Sequence, residues 1–121
     1  KEIQSPSGLK IQIGGNNRQN ELISLRKGKK GDLWFHAQES PGSHVVLKSS
    51  NGLVDEKDIQ LAADLASLFS RAKANKKVPI LMVPIENLQR ISGALPGTVS
   101  HRGGKVLWGK AERAEKYFHH K

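Results

Sequence analysis

One stretch constrains the fold more than any other. Asp32-Leu33-Trp34-Phe35-His36-Ala37 is followed by Gln38-Glu39-Ser40-Pro41-Gly42 and then by Ser43-His44-Val45-Val46-Leu47-Lys48. Alternating character, a short connection with a Pro-Gly turn and a second apolar run describe a β-hairpin. If 38–42 form the loop, His36 faces His44, Trp34 faces Val46 and Asp32 faces Lys48. The opposite charges of the last pair favour that register.

Strand side chains alternate between faces. Leu33, Phe35 and Ala37 then make one face, ordinary core, while Asp32, Trp34 and His36 make the other, with His44 beside them. Taken alone, Trp34 reads as the cover of a small core, and Asp32 as the residue that opens the strand. Taken together, the three read as a recognition surface. The indole can stack on a base or ribose, at ~1–3 kcal/mol per base. His36 can donate to a phosphate or a base edge, and Asp32 can accept from a base amino group, a 2′-hydroxyl or His36.

The rest of the chain supplies an α+β fold: a mostly antiparallel sheet with one long helix, about 55–75, packed on one face. Residues 9–13 alternate as a half-buried strand, stopped by Gly14-Gly15-Asn16-Asn17, a turn of residues that tolerate positive φ. A short helix is expected over 20–25, with Leu22, Ile23 and Leu25 inward. Ile59, Ala62, Ala63, Ala66, Phe69 and Ala72 recur at helical spacing, behind Asp55, Glu56 and Asp58 at the start. Val78 begins a buried strand over 78–83. Residues 98–102 and 105–108 are expected to pair as a hairpin about Gly103-Gly104. The domain is expected over 8–110, with 1–7 as a tail and 111–121 as a tail or short helix.

Charge bears on the partner. The 121 residues carry a net +9, unevenly spread. Residues 1–31 hold seven basic and two acidic groups, 32–70 two and six, and 71–121 eleven and three. Two basic ends flank an acidic middle, so one face is expected to attract polyanions, nucleic acid before anionic membrane. The cluster Arg71, Lys73, Lys76, Lys77 reads either as cations complementing a helix C-terminus or as an RNA-facing group. Lys29 and Lys30 form an exposed basic loop. Gly14 to Arg18 reads either as an anion nest or as a plain turn.

No cysteine is present, which excludes a disulfide scaffold, a thiolate zinc site and a Cys nucleophile. No apolar run reaches the ~20 residues that span a bilayer, and the N-terminus has no signal-peptide core. The chain does not open on Met, so a fragment or processed product is expected. Asp32, His36 and His44 raise the alternative of a small metal-dependent hydrolase, but no ligand spacing such as HExxH supports it. A protein-interaction module with an incidental basic surface is a third reading.

The Asp-x-Trp-x-His run of Asp32, Trp34 and His36, with Pro41-Gly42-Ser43-His44, resembles the signature of the NFACT RNA-binding domain. Asn16-Asn17-Arg18-Gln19-Asn20 is similar to the family's Asn-x-x-Gln-Asn element. Ala62-Ala63 and Gly93-Ala94-Leu95-Pro96-Gly97-Thr98-Val99 also fit. The chain departs from the pattern at Gly15, where the family usually carries Arg, a loss that Arg18 can offset.

The resemblance implies a module that engages tRNA on the large ribosomal subunit in ribosome-associated quality control. It implies untemplated C-terminal tailing when the module is part of a full-length protein. The expected RNA-binding residues are Asp32, Trp34, His36, His44, Asn16, Arg18, Gln19, Asn20, Lys29 and Lys30, with no catalytic residue, metal or cofactor. A monomer in the cytoplasm, or in an organelle with its own ribosomes, is expected, with no membrane partner. An older family label, fibronectin-binding protein, implies an adhesin, and a basic domain without a signal gives it little support.

Overall fold

A computed structural model describes residues 1–119. Its centre is a six-stranded antiparallel sheet in the order β1-β2-β4-β3-β5-β8. The strands are β1 (Glu2–Gln4), β2 (Lys10–Ile13), β3 (Leu33–Ala37), β4 (Val45–Leu47), β5 (Val78–Pro84) and β8 (Lys105–Gly109). The short strands β6 (Leu88–Arg90) and β7 (Val99–His101) pair separately as a ribbon. Helices α1 (Asn17–Glu21), α2 (Glu56–Leu68) and α3 (Ala111–His119) complete the fold, with a wider π-type turn over Leu22–Arg26 extending α1.

The expected hairpin register holds. Leu33 pairs Leu47, Trp34 pairs Val46 and Phe35 pairs Val45. Asp32 and Lys48, just beyond these pairs, meet as a buried salt bridge.

Alternation splits the sheet into two packed faces. Ile11, Ile13, Phe35, Ala37, Val45, Leu47, Val78 and Ile80 face α2, whose Leu61, Ala62, Ala63, Leu65 and Ala66 close the main core. The other face buries Trp34, Val46 and Val83 beneath Ile23 and Ile85, with Leu88 and Val99 of the ribbon against them. The sheet is therefore covered on both sides, by helices on one and by the α1 segment and the ribbon on the other.

Four expectations are corrected. Residues 1–7 are more than a tail: β1 pairs antiparallel with β2, and Ser7 N–H donates to Asp58 Oδ1 at 2.9 Å. The Ser-Pro-Ser-Gly run is the turn between two strands. Helix α2 begins as expected, with Asp55 and Asp58 forming a reciprocal capping box, but it ends at Leu68. Gly42 bridges Ser70 and draws the chain into turns, while Phe69 and Ala72 still pack on the core and so preserve the helical spacing. No basic residue lies in the last turn of α2, which removes the dipole reading of Arg71 to Lys77. Third, β7 and β8 do not form a hairpin. Gly103 and Gly104, at φ +64° and +115°, pass the chain from the ribbon to the sheet edge. Last, in the short helical segment only Ile23 of the three expected inward residues is buried, and Leu22 is exposed.

Residues 111–119 form α3, clamped to α2 by Arg113, whose Nε and Nη2 donate to the two oxygens of Asp64 at 2.9 and 3.1 Å. Among the described residues no helix is long and apolar enough to cross a membrane.

Candidate nucleic-acid interface

The side chains singled out on β3 are brought together with His44, but they are not displayed as a bare strand face. Trp34 is only 4% exposed and Asp32 is fully buried. Three rings make a compact cluster. Trp34 and His36 stack with centroids 5.7 Å apart and planes 5° from parallel. His44 meets both edge-on, at 5.1 Å from Trp34 and 5.6 Å from His36. Such offset and T-shaped contacts match the charge distribution of aromatic rings. The half-buried His36 ring carries most of what the cluster offers to solvent.

A pocket of about 190 Å³ opens over the cluster, lined by Trp34, His36, His44, Gly97 and Val99. Its rim comes from the Gly93–Val99 run. Gly97 sits at φ +84° against Asn17, where an added Cβ would lie 2.9 Å from the Asn17 carbonyl oxygen. Its N–H donates to Glu21 Oε1 at 3.3 Å, and Glu21 is paired with Arg90 at 2.5 Å. The loop is thereby tied to α1 on one side and to the ribbon on the other.

Asp32 is a positioning residue in this arrangement. Its carboxylate takes Lys48 Nζ, the Ser50 hydroxyl at 2.5 Å, Ser50 N–H at 3.1 Å and Lys29 N–H at 2.9 Å. Burial drives its pKa up, and the bonds from Lys48, Ser50 and Lys29 more than offset it, leaving the pKa below the usual aspartate value. With its lone pairs engaged and no exposed surface, Asp32 holds the ends of the β3–β4 hairpin and the Lys29 loop. It is not positioned to touch RNA, a correction to its expected contact role.

The histidines are neutral at pH 7. Burial lowers His44 to about 4, helped by the nearby His36. Burial also lowers His36, against backbone hydrogen bonds at Ala37 and Gly42 that act the other way. His44 Nδ1 lies 2.7 Å from Ser24 Oγ. The cluster therefore presents an uncharged aromatic surface, and cationic contacts must come from its surroundings.

The Asn-x-x-Gln-Asn element has a structural role. Asn16 Oδ1 accepts from Gln19 N–H at 2.9 Å, and Gln19 Oε1 accepts from Gly15 N–H at 2.7 Å, a reciprocal cap on α1. Asn20 is buried and its Oδ1 accepts from His44 N–H at 3.1 Å. Gly14 makes room for it, since a Cβ there would lie 1.9 Å from that oxygen. Neither Gly14 nor Gly15 has positive φ, and the N–H groups of Gly14 and Gly15 are engaged by His44 O and Gln19 Oε1. The nest reading of this turn is thus set aside.

Arg18, Lys29 and Lys30 are exposed. Arg18 shares a surface pocket with Arg26, Leu22 and Pro96 beside the loop over the rings. Lys29 lines another with Lys10, Arg26, Lys27 and Lys48. A cleft of about 600 Å³, which the sequence did not reveal, runs between the β2–α1 turn, the Pro41-Gly42-Ser43 loop and the end of α2. Arg71 and Lys73 stand on its wall, where the early end of α2 puts them. Among the described residues none of Arg18, Arg26, Lys27, Lys29, Lys30, Arg71 or Lys73 is in an ion pair. Ser24 was missed, and the Gly93–Val99 run, noted for its resemblance, was not placed at the rings: a Ser in a helix and a distant loop carry no local signal for a histidine pocket.

The three side chains named for the metal alternative do not form a common ligand group. Asp32 is committed to Lys48, Ser50 and Lys29, leaving two histidines in edge-on contact with each other. Among the described residues no group of three His, Cys, Asp or Glu side chains could share a metal.

A two-faced α+β domain with an aromatic pocket and exposed cations outside ion pairs on its surface has the features of a nucleic-acid-binding module. Residues 3–103 match the family described as NFACT protein RNA binding domain, and the chain belongs to that family. It is 43% identical over 98 residues to the Rqc2 homolog RqcH of Bacillus subtilis (strain 168), covering 81% of this chain and 17% of the relative. The corresponding figure for RqcH of Streptococcus suis is 41% over 97 residues, covering 80% and 17%. The chain thus spans about one-sixth of the length of these curated relatives. A solved structure of the C-terminal of the fibronectin/fibrinogen-binding protein from Streptococcus suis superposes with a TM-score of 0.88 at 34% identity. The superposition covers 97% of this chain and 48% of the other.

Proposed function

We propose that this domain binds RNA with the ring-cluster face and the cations around it, and that its natural RNA is a tRNA on the large ribosomal subunit. The observation that carries the reading is the His36-centred pocket, aromatic and uncharged within, with Arg18 beside the loop that rims it and further exposed cations without ion-pair partners elsewhere on the surface. The ring surface suits a base or ribose; Arg18, Lys29, Lys30, Arg71 and Lys73 suit the phosphates around it. Similarity to RqcH, named as an Rqc2 homologue, supports a setting in ribosome-associated quality control. In a full-length protein the module would take part in untemplated C-terminal tailing. It would do so by holding tRNA, with the ribosome making the peptide bond and no catalytic group supplied by this domain.

The test is a titration of labelled tRNA at several salt concentrations. Log K against log salt is expected to fall on a straight line, as bound counterions are released. Lys29→Ala with Lys30→Ala is expected to flatten the slope by about two, roughly one per phosphate contact. An affinity independent of salt overturns phosphate-led binding. Absence of tRNA binding at low salt overturns the function itself.

A further inference from the structure

The second sheet face does not end at the ring cluster. By register, His36 pairs Leu81 and Leu81 pairs Val106, so these three side chains form a row across β3, β5 and β8. One step along, Pro79 pairs Trp108. The ribbon and α1 leave this end open: Val106 is 50% and Trp108 51% exposed. Lys77 Nζ stands 4.4 Å from the centroid of the Trp108 ring.

The strand under the indole is rigidly held. Gln60 Nε2 donates to Trp108 O at 2.9 Å. Next to it, Gly109 packs so closely on α2 that a Cβ would lie 2.1 Å from Ser67 Oγ and 2.5 Å from Ala63 O. An indole half in water on a strand fixed this firmly is a displayed group, not a frayed one. The two chain segments that carry Lys77 and Trp108 are basic, while the Asp64 carboxylate below them is engaged by Lys110 N–H and Arg113. Residues 71–84 and 99–110 contain Arg71, Lys73, Lys76, Lys77, Arg102, Lys105 and Lys110 and no Asp or Glu.

We propose that Trp108 and Lys77 form a second RNA subsite, in which the indole stacks an unpaired base and Lys77 and Lys110 contact the flanking phosphates. The subsite extends the path that begins at His36, two strands and on the order of 10 Å away. It takes unpaired RNA, because the base faces of an A-form duplex are already stacked on one another and closed to an indole. Aromatic stacking with a cation beside it is the sequence-tolerant means by which proteins hold single strands. The subsite rests on the RNA-binding reading above, and its test separates the two.

The experiment uses this chain with a single-stranded 12-mer RNA and a blunt RNA duplex of equal length. Trp108→Ala is expected to weaken single-strand binding about tenfold and to change duplex binding less than twofold. Trp108→Phe should recover most of the loss, and Lys77→Ala should weaken the single strand and lower its salt dependence. Acrylamide quenching gives an independent readout on the unaltered protein. Trp108 is the exposed indole of the two, so bound single strand should shield it and duplex should not. If the unaltered protein binds neither RNA, the RNA reading and the subsite fall together. If it binds single strand while Trp108 stays as open to acrylamide as before, or if Trp108→Ala weakens both RNAs equally, the subsite alone is overturned. The indole is then a surface for another protein segment.

Discussion

Asp32 and Lys48 form an ion pair sealed from solvent where β3 begins and β4 ends. The same carboxylate ties down the Lys29 loop and Ser50. Removing one partner strands the other charge. Asp32→Ala or Lys48→Ala is each expected to cost about 3–5 kcal/mol, and the joint replacement Asp32→Leu with Lys48→Met to cost less than either. Urea denaturation of the three variants checks this. Asp32 has a folded pKa below its unfolded one, so its contribution is present above the usual carboxylate range and lost as pH falls through the folded value.

His44 gives a second pH signature of the same sign. Its folded pKa is lowered to about 4 from 6.5, so the unfolded chain binds a proton that the folded chain does not between those values. Stability is complete above about pH 6.5 and is expected to fall by about 3 kcal/mol by pH 4. In His44→Phe that portion of the pH dependence should flatten, as measured by denaturation at pH 4.5 and 7.5.

Trp34 and Phe35 point to opposite faces, yet both are core. Trp34→Ala and Phe35→Ala are each expected to lose about 3–5 kcal/mol. Trp34→Phe should cost much less, because Nε1 is buried with no acceptor among the described residues and its loss removes a desolvated donor. Thermal melts of the three decide. A Trp34→Ala variant as stable as the parent would contradict the packing described for that face.

What was legible in the sequence depended on locality. The register of the 32–48 hairpin could be read because Asp32 and Lys48 fixed the ends. The turn, however, falls at Gln38-Glu39, with Glu39 at φ +56°, and Gly42 of the expected Pro-Gly turn instead bridges Ser70, leaving β4 only Val45–Leu47. Helix α2 announced its start through Asp55 and Asp58. Its end was hidden, since Phe69 and Ala72 reach the core from turns and mimic helical spacing. The Gly103-Gly104 turn looked like a hairpin tip because the sequence does not record that β7 has β6 as its partner. At the site, the residues of the ring cluster could be named, but their exposure could not. Whether Trp34 meets solvent depends on Ile23, Ile85 and Val99, which come from elsewhere in the chain.

Gly14 is a sharper case of the same kind. It reads as a flexible turn residue, yet it has no positive φ and leaves room for Asn20. Gly14→Ala should displace Asn20 from His44 N–H and destabilise the domain by about 1–3 kcal/mol through the unpaired buried donor. Gly8→Ala has open space around it and should show only the smaller strain of its positive φ. Denaturation midpoints compare the two.

The most direct measurement is the tRNA affinity of His36→Ala beside its thermal melt. His36 is the ring of the cluster that solvent reaches best, and it is stacked on Trp34 without being part of either core. Its removal is predicted to weaken tRNA binding about tenfold while lowering stability by less than about 2 kcal/mol. A His36→Ala variant that binds tRNA as tightly as the parent, with the same salt slope, would contradict the claim that RNA is held at the ring cluster.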